Sequence, residues 1–140
     1  MTAKQYAIIG KAYVKRGADA AGKTADVLLS FPAIPSDFSL MGCYYRQYTE
    51  TIYEITAKNK RVFLCAMLQR YMPYLFQLPA ECTMRVEGGF LKAFCTVTNS
   101  NKGNVSVSIR QVIFEYKTYD DFRSKCDDFL NGISKYKIAG

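Results

Sequence analysis

The chain has 140 residues, of which 49% are hydrophobic and 14% aromatic, enough to bury a core and too apolar for a disordered tail. A formal net charge of +7 suits an anionic partner. The lack of any histidine excludes Ser-His-Asp, Cys-His and histidine-ligated zinc chemistry, and five cysteines without a C-x-x-C pair read as reduced thiols packed as small hydrophobes.

Residues 4–16 are rich in Tyr, Ile and Val and predict a strand. Gly17 to Lys23 is small and polar, like a loop, and Val27-Leu28-Leu29-Ser30-Phe31 predicts the returning strand, stopped by Pro32 and Pro35. Inside this first hairpin lies Gly-Ala-Asp-Ala-Ala-Gly-Lys-Thr, a match to the phosphate-loop pattern G-x-x-x-x-G-K-[ST]. In that motif Gly17 and Gly22 let backbone N–H groups curl around phosphates, Lys23 neutralises the outer phosphates and Thr24 holds Mg²⁺. The context argues against it. Lys15 and Arg16 stand where a buried parallel strand is needed, Pro32 cuts short the following helix, and the strands come in pairs rather than alternating with helices.

Ser36-Asp37 reads as a helix start, followed by Leu40, Tyr44, Tyr48, Ile52 and Ile55 at helical spacing, although 43–56 is also β-prone. Tyr44, Tyr45, Tyr48 and Tyr53 suit an amphipathic core or a contact between copies of the chain. A second helix runs over 62–78 with Leu64, Met67, Leu68, Tyr71 and Leu75 on one face and a break at Pro73.

Segments 83–97 and 105–117 flank the turn-rich Asn99-Ser100-Asn101-Lys102-Gly103-Asn104 and predict a long antiparallel hairpin. Leu91, Ala93, Cys95 and Val97 then face the core with Val105, Val107 and Ile109, and a β-bulge near Arg110-Gln111 brings Val112, Phe114 and Tyr116 back into phase. A final helix over 120–136 carries Phe122, Cys126, Phe129, Leu130 and Ile133 on one face, with Asp120 and Asp121 at its start.

The expected fold is one α+β domain over 1–140, an antiparallel sheet of two β-hairpins packed against two or three helices and closed by the C-terminal helix. The positive excess concentrates in the predicted hairpins, at +3 for residues 1–35 and +3 for 82–117. An outward row of Phe90, Lys92 and Phe94 facing Ser106, Ser108 and Arg110 has the composition of a single-strand nucleic-acid platform. The sequence therefore predicts a small basic protein without catalysis that binds single-stranded nucleic acid or RNA. Phe90 and Phe94 stack on bases, while Lys11, Lys15, Arg16, Lys23, Lys92, Lys102 and Arg110 meet phosphates. The alternatives are a viral or phage structural or interaction subunit and, through Gly17, Gly22, Lys23 and Thr24, a nucleotide-binding protein. A homo-oligomer is compatible with the tyrosines, and no cofactor or metal is expected. No apolar run approaches the roughly 18 residues of a membrane span, and the N-terminus lacks the layout of a signal peptide. The expected location is the cytoplasm or a virion, without secretion and without a membrane partner.

Overall fold

The computed structural model describes residues 6, 9–10, 18–29, 38–78 and 88–135. In chain order these form α1 (Ala18–Leu29), α2 (Met41–Thr51), α3 (Ala57–Tyr71), a 3₁₀ turn (Pro73–Phe76), α4 (Gly88–Thr98), α5 (Lys102–Thr118) and α6 (Asp120–Lys135). No strand occurs among the described residues, so the expected α+β sheet of two hairpins is overturned and the protein is helical. Tyr6, Ile9 and Gly10, expected in the first strand, are helical as well. Helix α1 takes in Ala18 to Lys23 of the expected loop and Val27-Leu28-Leu29 of the expected returning strand, and the remainder of the first hairpin, apart from Tyr6, Ile9 and Gly10, lies outside the described residues.

The second hairpin fails for a reason of period. Along α5 the buried residues are Val105, Ile109 and Val112, spaced four and three apart, which is one stripe of a helix. A period of two makes the same segment slip phase at Arg110-Gln111, but the backbone there is continuous helix and no bulge occurs. Along α4, Phe90 and Phe94 are four apart and both buried. The β-prone Thr and Ser residues are accommodated because their hydroxyls bond back along the helix. Thr96 Oγ1 donates to Lys92 O at 2.8 Å, Thr98 Oγ1 to Phe94 O at 2.7 Å and Ser108 Oγ to Asn104 O at 2.9 Å.

The expected hairpin turn is a helix stop followed by a helix start. Asn99 takes the left-handed conformation at φ 52°, and Ser100 N donates to Cys95 O at 3.0 Å, the long bond of a Schellman C-cap. Asn101 then caps α5, its side chain accepting from Gly103 N at 2.8 Å and Asn104 N at 3.3 Å. We expect Asn99→Gly to raise the unfolding free energy by ~0.5–1 kcal/mol and Asn101→Ala to lower it by ~1 kcal/mol in urea titrations. A loss on Asn99→Gly would contradict the left-handed assignment.

Helix α3 is the centre. Val62 through Leu68 are buried without interruption, the mark of a helix covered on all sides. It packs against α2, α5, α6 and the 3₁₀ turn, while α4 bridges α2 and α5. Thr56 caps its start by accepting from Asn59 N at 3.1 Å. Its end at Tyr71 follows from Pro73, which has no N–H to continue the ladder. The predicted face of this segment, Leu64, Met67, Leu68, Tyr71 and Leu75, is buried throughout.

The core is dominated by aromatic rings. Phe63 lies 4.9 Å from Tyr45, 5.6 Å from Tyr48, 5.8 Å from Phe94 and 5.9 Å from Phe129 between ring centroids. The chain of rings continues from Phe94 to Phe90 at 6.1 Å and from Phe90 to Phe38 at 5.8 Å. Tyr44 and Tyr48 are thus core residues of α2, whereas Tyr53, in the α2–α3 connection, is fully exposed.

Candidate functional site

Lys11, Lys15, Arg16 and Gly17 lie outside the described residues. Gly22, Lys23 and Thr24 sit within α1, which begins at Ala18. A phosphate loop presents N–H groups that no carbonyl has claimed, as at a helix start. By Gly22 to Thr24 a helix starting at Ala18 already directs its N–H groups to carbonyls four residues back. From Ala18 to Thr24 the octet is therefore helical, and the backbone at Gly22 to Thr24 is not an open phosphate-cradling loop.

Phe90 and Phe94 are 0% and 2% exposed and stack inside the core, so neither offers a face to a base. Lys92, Lys102 and Arg110 are exposed, on α4 and α5, but Phe90 and Phe94, the rings that were to accompany them, lie inside the core. The expected β-hairpin surface for nucleic acid is overturned with the sheet that was to carry it.

The described surface offers a different feature, on α5. With Val105, Ile109 and Val112 turned inward, helical geometry places Val107 and Phe114 on the opposite side. They are 78% and 58% exposed. Phe114 meets Tyr119, itself exposed, edge to face at 6.2 Å and 87°. Arg110 and Lys117 border the two apolar residues, and Gln111 lies between them. Only one carboxylate occurs in α5, Glu115, and it turns aside to Arg61 of α3, with Oε1 3.5 Å from Arg61 Nε. The outer face is thus apolar and cationic without an internal counterion.

The inner side of α5 is anchored by polar contacts at its end. Tyr116 Oη donates to Asp127 Oδ1 on α6 at 2.8 Å. Burial, together with that hydrogen bond and the carboxylate charge, pushes the Tyr116 hydroxyl up to about 12. Tyr119 N donates to Glu115 O at 2.8 Å, and Tyr119 O accepts from Arg123 N at 3.0 Å, so a single residue turns the corner between α5 and α6. Arg123 in turn pairs with Asp120. This corner fixes Tyr119 beside Phe114.

Among the described residues no group of His, Cys, Asp or Glu is placed to hold a metal ion, and no helix is long and apolar enough to cross a membrane. No protein-family model, curated protein or solved structure matches the chain. The outer face of α5 escaped sequence reasoning because Val107 lies between Ser106 and Ser108, and Val112, Phe114 and Tyr116 fall at every second position, as core residues of a strand do. The signal that would have found them is the i, i+4, i+7 stripe Val105, Ile109, Val112, which leaves both residues on the far side of a helix.

Proposed function

We propose that this protein is a non-catalytic interaction module that presents the outer face of α5 to an amphipathic helix bordered by carboxylates. The observation that carries the reading is the exposure of Val107 and Phe114 opposite the core, flanked by Arg110 and Lys117. Laying an apolar stripe against such a face removes Phe114 and Tyr119 from water, and glutamates at the border meet the two cations. Two copies of this chain suit the face poorly. An antiparallel pairing that sets Val107 against Phe114 also brings the two Arg110 residues together, in a protein of net charge +7.

The test uses two synthetic amphipathic peptides that share a Leu–Ile stripe, one bordered by glutamate and the other by lysine. The glutamate peptide is expected to bind, to shift the amide resonances of residues 107–119 and to weaken as salt rises. Phe114→Ala is expected to cost ~2 kcal/mol of that affinity. Equal binding of both peptides, or binding by neither, sinks the reading. So does a concentration-dependent dimer that Phe114→Asp dissolves, which would assign the face to self-association.

A further inference from the structure

A groove of about 410 Å³ opens where α3, α5 and the α4–α5 connection meet. Each wall is one helical stripe. On α3 it is formed by Ala57, Lys60, Arg61 and Leu64, and on α5 by Asn104, Ser108 and Gln111. Leu64, Phe94 and Val105, all buried, form an apolar floor. The rim is completed by uncharged polar residues of the connection, and no carboxylate lines it.

The charges in this groove are unbalanced. Lys60 makes no ion pair among the described residues. Arg61 has one counterion, Glu115, which lies outside the lining, and the enclosed Nε of Arg61 has no hydrogen-bond partner. Two cations adjacent in the chain over an apolar floor, with one carboxylate at Arg61 and none at Lys60 among the described residues, make an incomplete arrangement. An anion seated against Lys60 and Arg61 completes it, and a guanidinium suits a carboxylate or phosphate through paired N–H donors. The floor asks for more than a bare ion, and the volume is that of a small-molecule site.

We propose that this groove binds a small ligand that carries a carboxylate or phosphate on an apolar or aromatic body. The anionic group meets Lys60 and Arg61, and the body lies on Leu64, Phe94 and Val105. Asn104 and Gln111 supply neutral polar contacts from the facing wall. The site is separate from the outer face of α5, since neither Val107 nor Phe114 lines it.

The experiment is a titration of the full chain, followed by amide resonances, with phenyl phosphate, benzoate, phenol and inorganic phosphate. At least one of the two aromatic anions is expected to shift Asn101, Asn104 and Ser108. The stronger of the two shows whether phosphate or carboxylate is preferred. Phenol, which lacks the charge, and inorganic phosphate, which lacks the body, are expected to bind about tenfold more weakly or worse. Lys60→Glu should weaken the aromatic anions by about tenfold or more. Ser108→Phe, which fills the groove without changing charge, should abolish binding. Phe114→Asp should leave it unchanged, so failure here and failure of the α5 docking face are distinguishable. The proposal is overturned if neither aromatic anion shifts these amides. It is also overturned if Lys60→Glu has no effect, if Ser108→Phe leaves binding intact, or if Phe114→Asp abolishes it.

Discussion

Replacing Phe63 by alanine is expected to lower the unfolding free energy by ~3–5 kcal/mol, the range for deleting a fully buried aromatic ring. Phe63 is 0% exposed and touches rings from α2, α4 and α6, so its removal opens a void between four helices that cannot all collapse into it. Phe94→Ala should cost a comparable amount, because Phe94 stacks on both Phe63 and Phe90. Phe114→Ala, on the outer face, should change stability by less than ~0.5 kcal/mol. Urea denaturation of the three variants decides whether the aromatic residues divide into core and surface as described. A small effect at Phe94 would put that ring back on a surface, where the sequence alone had placed it.

The second large effect is one of pH. Cys65 of α3 lies against Cys126 of α6, and the hydrogen bond between the two thiols, together with burial, pushes the Cys65 thiol up from 9.0. Cys126 Sγ also lies 3.6 Å from Val62 O as donor. Burial pushes the Tyr48 hydroxyl up to about 12, and Tyr116 stands at about 12 as well. All three groups are neutral when protonated and hold their protons more tightly in the folded state. Below their ordinary values of 9.0 and 10.0 both states keep these protons, so stability is fully present there. Above those values the unfolded chain loses protons that the folded chain retains, and stability falls by about 1.4 kcal/mol per pH unit for each such group. The decline begins near 9 with Cys65, steepens near 10 with the tyrosines, and continues toward 12. Tyr48→Phe should remove part of the steeper portion and leave the onset in place. Urea titrations from neutral to strongly alkaline pH measure it. A curve that stays flat into the tyrosine range would mean that these groups are open to water.

What could be read from the sequence depended on whether apolar spacing had a competitor. Leu64, Met67, Leu68 and Tyr71 repeat at helical spacing in a segment of good helix formers, and they lie on α3, although that helix starts at Ala57, ahead of the expected residue 62, and ends at Tyr71 before Pro73. Phe122, Cys126 and Ile133 behaved likewise in α6, with Asp120 and Asp121 in its first turn. In 88–118 two periods were present at once. Phe90, Phe94, Val105, Ile109 and Val112 carried the helical one, while Leu91, Ala93, Cys95 and Val97 alternated as in a strand. Val, Thr and Ser favoured the strand by composition, and burial between α2, α3 and α6 overrode that preference. Asn99 to Asn104 signalled a boundary between two elements, but Asn serves a helix C-cap, a helix N-cap and a hairpin turn equally well. The groove was illegible because Lys60, Arg61, Asn104 and Ser108 are distant in the chain, and only the packing of α3 against α5 makes them neighbours.

The sheathing of α3 has a consequence for how the protein is made. The run from Val62 to Leu68 is apolar on every side, and α6, one of the helices that covers it, starts about fifty residues further along the chain. During synthesis at ~5–20 residues per second that run stays uncovered for several seconds after it emerges. Helix α3 can form early from local contacts, but it cannot be enclosed until α5 and α6 have been released and have folded back across it. The nascent chain thus passes through an interval in which the helix destined for its centre is open to chaperones and to neighbouring chains. A ribosome stall after α4 would leave the molecule with its centre built and its outer wall missing.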